Sequence, residues 1–376
     1  MTERLYKGHT EEEHAKRESR IALYGAGMVA VSIYYAIKTL HPDCRIVSFI
    51  VSETKDNPEE IDHIPVMALE EFSKLFGKQD IKILVAVPEN HHSVIVAELM
   101  KRNLKDYICM DSQKEAGLME QYYRRTKMFL PLRSCQQKKQ REKEISLNVY
   151  ITRFHKDVPL KKTWKLPEWT CPIQAGAALT DRSVAPIRDN TGDNISEKNG
   201  NYSELSALYW IWKNTGKGLT GDEYVGLFHY RRILDVTEED IYSMADNGID
   251  VVLPYPTIHA PSIDEHHRRY VKDQDWMAMV LAIEELSPEY ARMMPDIFSQ
   301  PYFYNYNMLI AKRRIFDEFC GWMFPILKRT EELSSPRGWE RADRYIGYLG
   351  ENLTTLYFMY HKNHWKIAHV GRLMLV

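Results

Sequence analysis

Residues 172–234 read PIQAGAALTDRSVAPIRDNTGDNISEKNGNYSELSALYWIWKNTGKGLTGDEYVGLFHYRRIL. This stretch contains a polar loop at 189–201, a predicted helix at 202–214 and a short apolar strand at 224–228 that runs directly into HYRR at 229–232. Ligands of α/β sheets bind at the carboxyl ends of the strands. The stretch therefore predicts an α/β domain with a ligand site where strand 224–228 ends.

The length and composition of the chain narrow the class of protein. At 376 residues two domains are expected, and a net charge of -2 gives no overall case for nucleic-acid binding. The charged segment 1–19 lacks the apolar core of a signal peptide, and no uncharged apolar run reaches the roughly 18 residues of a membrane span. Five widely spaced cysteines favour free thiols in a reducing compartment. We expect a cytoplasmic protein.

The segment 20–111 alternates short apolar strands with helices, which predicts a parallel, doubly wound, Rossmann-like sheet. Its first strand ends in Gly25 and Gly27, and Ala30 completes a GxGxxA pattern before a helix. Such glycines let a phosphate approach a helix N-terminus, and Glu53 could hold a ribose. Two interpretations stay open, a nucleotide site formed by Gly25, Gly27 and Glu53, or a domain that only supports or docks its neighbour.

Residues 112–146 are rich in charge and predict a helical linker that is broken near Pro131. The basic cluster QQKKQREKE at 136–144 is typical of a solvated helix face. It could also rest on a membrane surface or on a lipid-linked acceptor. Peripheral association with the inner face of the plasma membrane therefore stays open.

The second domain, 147–376, offers polar residues near its predicted strand ends. Its first strand, 148–153, leads to a histidine and a lysine that could meet a nucleoside, and the loop at 189–199 could bind ribose and diphosphate or simply turn the backbone. The candidates for donor binding are His155, Lys156, Gln174, Gly176, Asp193, Asn194, Lys198, Asn199, His229, Arg231 and Arg232.

The end of strand 224–228 has no Asp-x-Asp motif. Many two-layer α/β transferases carry Asp-x-Asp there, where it holds the divalent metal that neutralises a diphosphate. Here Arg231 and Arg232 stand in that place and could bind a diphosphate directly through bidentate hydrogen bonds. We expect a mechanism without a metal ion, and we assign no metal ligands.

Two acidic residues are candidates for the general base. Glu351 interrupts the apolar pattern of a predicted helix at 345–359, and a buried carboxyl is costly unless it is paired or used. Asp343 is the second candidate. Glu204 is placed to favour a helix N-terminus, a role that competes with a catalytic one.

Acceptor binding is expected along an aromatic strand at 301–311. Asn305 and Asn307 alternate with tyrosines, including Tyr304, which suggests a face for stacking and hydrogen bonding to sugar rings. Packing in the core explains part of this pattern equally well.

Residues 147–376 resemble the bacterial exopolysaccharide-biosynthesis transferase family known as domain of unknown function 4422. The resemblance rests on PIQAGAAL, DNTGDNISEKNGNYSELSALYWIWKN, YVGLFHYRRIL, YNMLIAKRRIFDEFCGWMFPIL and YLGENLTTLYF. It implies a GT-A-like fold, a role in capsule or O-antigen synthesis and a UDP-sugar donor, with galactose in pyranose or furanose form as the expected hexose. Residues 1–110 resemble only a generic Rossmann module.

These observations together predict a two-domain glycosyltransferase that moves a hexose from a UDP-sugar to a growing, lipid-linked or oligosaccharide, glycan. Two alternatives remain open. One is an NAD(P)-dependent or sugar-modifying bifunctional enzyme whose chemistry lies at Gly25 and Gly27. The other is a glycan-binding scaffold without catalytic activity.

Overall fold

A computed structural model describes residues 19–135, 145–160, 164–216 and 223–375. The predicted arm 1–19, apart from its last residue, and the basic cluster at 136–144 lie outside the described residues. The amino-terminal sheet domain contains β1 (Ser19–Tyr24), α1 (Met28–Leu40), β2 (Cys44–Val51), β3 (Glu60–Ile61), β4 (Ile64–Ala68), α2 (Leu69–Phe76), β5 (Lys82–Val85), α3 (His92–Lys101) and β6 (Tyr107–Cys109).

The strands of this first sheet are ordered β3-β4-β2-β1-β5-β6, and all neighbours except β3 and β4 are parallel. The buried side chains of α1 pack on one face of the sheet, and those of α2 and α3 pack on the other. The predicted doubly wound sheet is confirmed. Its central strands β1, β2 and β5 are mostly apolar because both faces of the sheet are covered.

The remaining elements form the connecting segment and the second domain. They are α4 (Ser112–Thr126), β7 (Leu130–Pro131), β8 (Ser146–Arg153), β9 (Thr170–Gln174), β10 (Ile187–Arg188), α5 (Asn199–Tyr202), α6 (Leu205–Asn214), β11 (Glu223–Phe228), β12 (Arg232–Leu234), α7 (Glu238–Asp246), β13 (Val251–Pro254), β14 (Thr257–Ile258), α8 (Ile263–His266), α9 (Asp273–Leu286), α10 (Pro288–Phe298), β15 (Tyr302–Phe303), β16 (Leu309–Lys312), α11 (Arg313–Leu333), α12 (Tyr345–Tyr360), β17 (Ile367–Val370) and β18 (Arg372–Met374).

The second sheet has the strand order β10-β9-β8-β11-β16-β13-β17-β7. The pairs among β8 to β11 are parallel, β16 runs antiparallel to both β11 and β13, and β17 is parallel to β13 and to β7. One face of the sheet packs against α6 and the long helices α9 to α12, and α7 packs on the other. Since β8, β9 and β11 are parallel, their carboxyl ends meet at one edge.

The connecting segment is only partly helical. Asp111 caps α4 by accepting a hydrogen bond from the Lys114 amide at 2.9 Å. After this helix, β7 pairs with β17 and becomes the edge strand of the second sheet. A proline suits that position because it lacks the amide hydrogen that an inner strand would need.

Two predicted elements of the second domain are divided in the structure. The predicted helix 202–214 breaks at Ser203, which has a φ of 50°. The Ser203 carbonyl accepts a 2.6 Å hydrogen bond from the side-chain amide of Asn199. The single strand predicted for 301–311 is wrong, because a turn separates β15 from β16, with φ of 74° at Tyr306 and 48° at Asn307.

The two domains are in contact through α1, α4 and β14. The Ser32 hydroxyl on α1 accepts a 3.0 Å hydrogen bond from the Ile258 amide, and the Tyr123 hydroxyl on α4 donates to the Pro256 carbonyl at 2.7 Å. Tyr122, Tyr123 and Tyr255 belong to one buried cluster between the domains. The first domain therefore lies beside the segment that follows β13.

Within the described ranges, every helix is too short or too polar to traverse a lipid bilayer.

Candidate functional site

The joined carboxyl ends of β8, β9 and β11 surround a cavity of about 470 Å³, which we call the cationic cleft. Five cationic side chains line it against two carboxylates. The cations are Arg153, Lys156, Arg231, Arg232 and Arg344, and the carboxylates are Asp157 and Glu204. A second cavity of about 400 Å³ shares Arg153, Asp157 and Tyr230 with this cleft and adds His155 and Arg182. This excess of positive charge suits a polyanionic ligand.

Several buried nitrogen atoms around these two cavities lack a hydrogen-bond partner among the described residues. They are Nδ1 of His155, Nε2 of His229 and Nε of Arg231. Buried polar atoms are nearly always paired, so such a group requires an explanation. A ligand rich in hydrogen-bonding groups, held in the cleft, would provide the missing partners.

The HYRR sequence forms a tight turn at the end of β11. The His229 and Arg232 backbones bond to each other at 2.9 and 3.3 Å, and the Leu375 amide fixes the Arg231 carbonyl at 2.8 Å. Arg232 then begins β12, which places its guanidinium carbon 4.5 Å from the centre of the Tyr306 ring. The turn is therefore held at both ends, and its side chains are directed into the cleft.

His229 is positioned as a neutral imidazole. Burial lowers its pKa, although Glu204 opposes that shift and the ring donates a hydrogen bond to the Tyr306 backbone carbonyl. Nε2, which lacks a partner, lies 3.9 Å from Oε1 of Glu204. With the proton on the other ring nitrogen, Nε2 offers a lone pair toward the cleft.

A third cavity, of about 220 Å³, lies beside the cleft, and we call it the aromatic pocket. Its walls combine aromatic rings with polar side chains. They include Met28, His259, His267, Tyr270, Phe303, Asn305, Tyr306, Tyr348, Glu351 and Asn352. Rings together with amide and carboxyl groups are a lining that suits a sugar.

Glu351 in this pocket has a pKa raised to about 8. Burial is the largest cause, and the neighbouring charge of Glu204 adds to it, while hydrogen bonds with the Tyr306 backbone and the Asn305 side chain, together with Arg232, oppose it. Glu204 and Arg232 line the cationic cleft, so the two cavities adjoin at these three side chains. A carboxyl of this pKa can exchange a proton near neutral pH.

The structure brings together part of the predicted site. Lys156, Asn199, His229, Arg231 and Arg232 line the cationic cleft, and His155 lines the cavity beside it. Asn305 and Glu351 line the aromatic pocket. The remaining predicted residues are engaged elsewhere.

Gln174 and Gly176 shape the loop below the cleft. The buried Gln174 amide donates to the Arg182 carbonyl at 2.8 Å and accepts from the Val184 amide at 2.9 Å. Gly176 has a φ of 64°, and an added Cβ would approach Asn199 to 2.8 Å. The buried Asp189 accepts the Gly176 amide at 2.9 Å. These groups hold the loop, and none of the three lines the cleft.

Three residues of the polar loop pair with protein groups instead of facing the cleft. Asp193 accepts from the Tyr209 hydroxyl at 3.0 Å. Asn194 bonds to the Gly192 carbonyl at 2.9 Å and to the Ser196 amide at 3.2 Å. Lys198 donates to the buried Glu331 carboxylate at 2.6 Å. The Asn194 bonds have the local turn-forming role that the sequence left open, whereas Asp193 and Lys198 pair with side chains farther along the chain.

Asp343, Tyr304 and Asn307 also have structural partners. Burial raises the pKa of Asp343, but the hydrogen bonds and charge of Arg341, together with backbone hydrogen bonds, hold it below its usual value. The buried Tyr304 hydroxyl pairs with Nε2 of His369 at 2.8 Å. Asn307 donates to Oε1 of Glu204 at 2.7 Å. Asn307 thus acts on the cleft through Glu204, whereas Tyr304 is part of the core.

The two glycines of the GxGxxA pattern have different surroundings, close packing at Gly25 and an open cavity at Gly27. A Cβ at Gly25 would lie 2.6 Å from the Ala86 carbonyl oxygen, and Gly25 has a φ of 127°. Gly27 lies in a cavity of about 430 Å³ between the domains, which we call the interdomain cavity. The exposed Glu53 does not line this cavity.

Sequence reasoning missed Arg153, Arg344 and Tyr306. Arg153 is the last residue of β8, and Arg344 follows the predicted Asp343. These positions in the sequence gave only a weak indication that both side chains line the cleft. Tyr306 was hidden inside an apparent strand. Among the described residues, no group of three His, Cys, Asp or Glu side chains could hold a metal ion. Metal independence itself stays a prediction.

Comparison with known proteins gives the family. Residues 148–363, more than half of the chain, match the family described as Domain of unknown function (DUF4422). The apo structure of the WbbM bifunctional glycosyltransferase is 26% identical, with a TM-score of 0.52, and the match covers 61% of this chain and 45% of that chain. The chain thus spans less than half the length of this structural relative. No curated protein matches.

The mixed α/β architecture with parallel-rich sheets is consistent with structural similarity to that relative. The second domain is thus similar in structure to part of a bifunctional glycosyltransferase. The chain belongs to the DUF4422 family, and its second domain has a GT-A-like α/β fold.

Proposed function

We propose that the protein transfers a hexose from a UDP-sugar to a growing capsular, O-antigen or other exopolysaccharide glycan. One observation carries this proposal: five cationic side chains surround a cleft at the carboxyl edge of the second sheet. The diphosphate of a sugar nucleotide is a ligand of matching charge. Galactose, in pyranose or furanose form, is the hexose that we expect.

The donor would lie with its diphosphate against Arg231 and Arg232. Arginine guanidinium groups bind phosphate oxygens through paired hydrogen bonds and keep their charge at all relevant pH values. Lys156 and Arg344 add positive charge in the same cleft. Leaving-group charge would thus be stabilised by side chains, without a metal ion.

The chemistry requires a proton acceptor close to the donor. The acceptor hydroxyl oxygen forms a bond to the anomeric carbon, the bond from that carbon to the diphosphate breaks, and the hydroxyl proton must leave. We assign that proton to the Glu351 carboxylate, which adjoins the cleft through Glu204 and Arg232. General base catalysis of this kind contributes about 10²–10⁴ in rate.

The acceptor would be a lipid-linked or oligosaccharide glycan that enters the aromatic pocket. Such a substrate is compatible with a cytoplasmic protein that associates peripherally with the inner face of the membrane. Asn305 and the rings of Phe303 and Tyr348 would meet the acceptor sugar.

A panel of nucleotide sugars tests the proposal. UDP release is measured with and without EDTA, and UDP binding is measured by calorimetry. We expect UDP-sugars to bind and to react in the presence of EDTA. Failure of every UDP-sugar to bind would refute the proposed function, and strict dependence on a metal ion would refute the role given to the arginines while leaving the transferase.

A further inference from the structure

The interdomain cavity and the aromatic pocket are neighbours with a shared wall. Met28, at the start of α1, lines both. Along β14 and the residue after it, Ile258 lines the interdomain cavity and His259 lines the aromatic pocket. In α8, Glu265 lines the interdomain cavity and Ile263 lines the aromatic pocket. The two cavities thus lie on either side of β14 and adjoin at Met28.

The lining of the interdomain cavity indicates which ligand it could accept. Among the described residues that form it, the charged ones are Glu60, Glu265 and Asp62, which pairs with Lys38 at 2.6 Å, and the ring of Tyr35 is aromatic. Carboxylates repel a phosphate but accept hydrogen bonds from hydroxyl groups, and a ring can stack on a sugar. The cavity therefore favours a neutral polyhydroxylated ligand over a nucleotide.

A polar side chain in the aromatic pocket is also short of hydrogen-bond partners. His267 is buried, with 4% of its side chain exposed, and apart from a contact with the Asp264 backbone its ring nitrogens have no hydrogen-bond partner among the described residues. The nearest carboxylate oxygens belong to Asp264 at 3.8 Å and Asp273 at 3.6 Å. A hydroxyl of a bound sugar would supply a further partner.

We propose that the acceptor site extends from the aromatic pocket past Met28 into the interdomain cavity, so that the first domain binds further sugar residues of an oligosaccharide acceptor. This inference rests on the proposed function. It gives the first domain a substrate-binding role in place of a nucleotide site, and it predicts that acceptors of several residues bind better than a single sugar.

Gly27 offers a direct test because its backbone is ordinary and its surroundings are open. Its φ is -93°, and an added Cβ would meet nothing within 4 Å. Gly27→Trp should therefore fill the interdomain cavity without a backbone clash, and Gly27→Ala is the matched control. Glu265→Gln removes one carboxylate from the same cavity with little change in shape.

The experiment uses the full chain, UDP-galactose and galacto-oligosaccharides of one, two and four residues that carry the same reducing-end fluorophore. In the native protein and Gly27→Ala, we expect KM to fall at least about tenfold from one residue to four, the equivalent of one or two added hydrogen bonds. Gly27→Trp should reduce that ratio to about one, and Glu265→Gln should reduce it in part.

Separate measurements distinguish the two proposals. Calorimetric titration with UDP on the same samples tests whether the cationic cleft binds the nucleotide. Absence of UDP binding to the native protein contradicts the proposed function. If UDP binds but KM does not depend on acceptor length, or if Gly27→Trp keeps the native length dependence, the extended acceptor site is refuted. Equal melting temperatures of Gly27→Trp and Gly27→Ala show that the domain is intact.

Discussion

At the residue scale, the proposed chemistry depends on two neighbouring carboxylates with different surroundings. Glu204 accepts a 2.7 Å hydrogen bond from Asn307 and lines the cationic cleft, whereas Glu351 is enclosed in the aromatic pocket. Burial and the charge of Glu204 raise the pKa of Glu351 to about 8. Such a difference in environment separates acid and base roles in many active sites.

Replacing Glu351 by Gln should alter both rate and stability. Transfer should fall by about 10²–10⁴, and the native rate should rise with pH toward pH 8, as the carboxylate forms. Rates of hexose transfer measured between pH 5.5 and 9.5 check this. Full activity of Glu351→Gln would remove Glu351 as the base.

Glu351 should also make the stability of the folded protein depend on pH. Because its folded pKa is raised from 4.5 to about 8, the native state holds a proton that the unfolded state releases in this range. The contribution of Glu351 to stability is thus complete below pH 4.5 and falls progressively up to pH 8. Urea unfolding should show a smaller decline for Glu351→Gln than for the native protein, and parallel curves would contradict the assigned burial.

A third prediction at the residue scale concerns UDP binding by Arg231. Arg231→Gln should weaken UDP binding by about tenfold to a hundredfold, since a hydrogen bond to a charged group contributes about 1.5–3 kcal/mol. Arg314→Gln is the control, because Arg314 pairs with Glu318 on the surface at 2.8 Å and lines none of the described cavities. Calorimetry with UDP measures both. Equal affinities of the two variants would argue against a diphosphate at Arg231.

The sequence indicates some of these residues and not others, for a physical reason. Glu351 could be selected because an acid in an apolar helix must be paired or used. Lys198 looked equally available, but it forms an ion pair with Glu331, 133 positions away. A partner so distant in sequence is set by the packing of α11, and a local pattern cannot reveal it.

At the scale of elements, the turn between β15 and β16 organises the site. The Tyr306 backbone bonds to both His229 and Glu351, and the centre of its ring lies 4.5 Å from the guanidinium carbon of Arg232 and 4.9 Å from that of Arg372. One turn thus positions groups on both sides of the boundary between the two cavities.

Asn307 stabilises that turn. Its amide donates to Glu204 and to the Gly347 carbonyl at 3.2 Å, and it accepts from the Thr354 hydroxyl at 3.1 Å. Asn307→Ala should lower the free energy of unfolding by about 1–3 kcal/mol, since buried partners lose their bonds. Tyr306→Phe, which keeps the ring, should change it by less than about 0.5 kcal/mol. Urea unfolding of both variants measures the difference, and a similar loss in each would contradict this account.

The sequence predicted most elements around this turn but not the turn itself. Apolar runs such as those of β1, β11 and β17 are recognised because both faces of their sheets are covered. Residues 301–311 alternate aromatic and polar side chains in the same way as a strand. The positive φ values at Tyr306 and Asn307 come from tertiary hydrogen bonds, which no local rule contains.

At the scale of the whole molecule, α4 joins the first domain to the site. Glu115 on this helix forms a 3.0 Å ion pair with Arg372, whose guanidinium group also contacts the Tyr306 ring. Burial alone would lower the pKa of Arg372, but the charge of Glu115, together with Tyr306 and Glu351, outweighs it, so the pKa is raised and the side chain stays charged. The docked helix therefore supports the turn that holds the site.

Glu115→Gln should destabilise the protein by about 3 kcal/mol, because it leaves a buried arginine without its counter-charge. Glu120→Gln on the same helix breaks only the surface pair with Arg124 and should cost less than about 1 kcal/mol. Denaturant unfolding compares the two variants. A similar, small effect of both would show that Arg372 does not depend on α4.

The pairing of β7 with β17 also affects how this domain can be handled as a module. The segment that matches the family, 148–363, begins after β7 and ends before β17, so it omits both strands. Cut at those positions, the sheet would end at the apolar strand β13 with an unpaired edge, which recruits other chains. Grafts and truncations guided by sequence similarity alone would therefore be prone to aggregate, whereas a segment from residue 112 to residue 375 would keep both edge strands and the pair between Glu115 and Arg372.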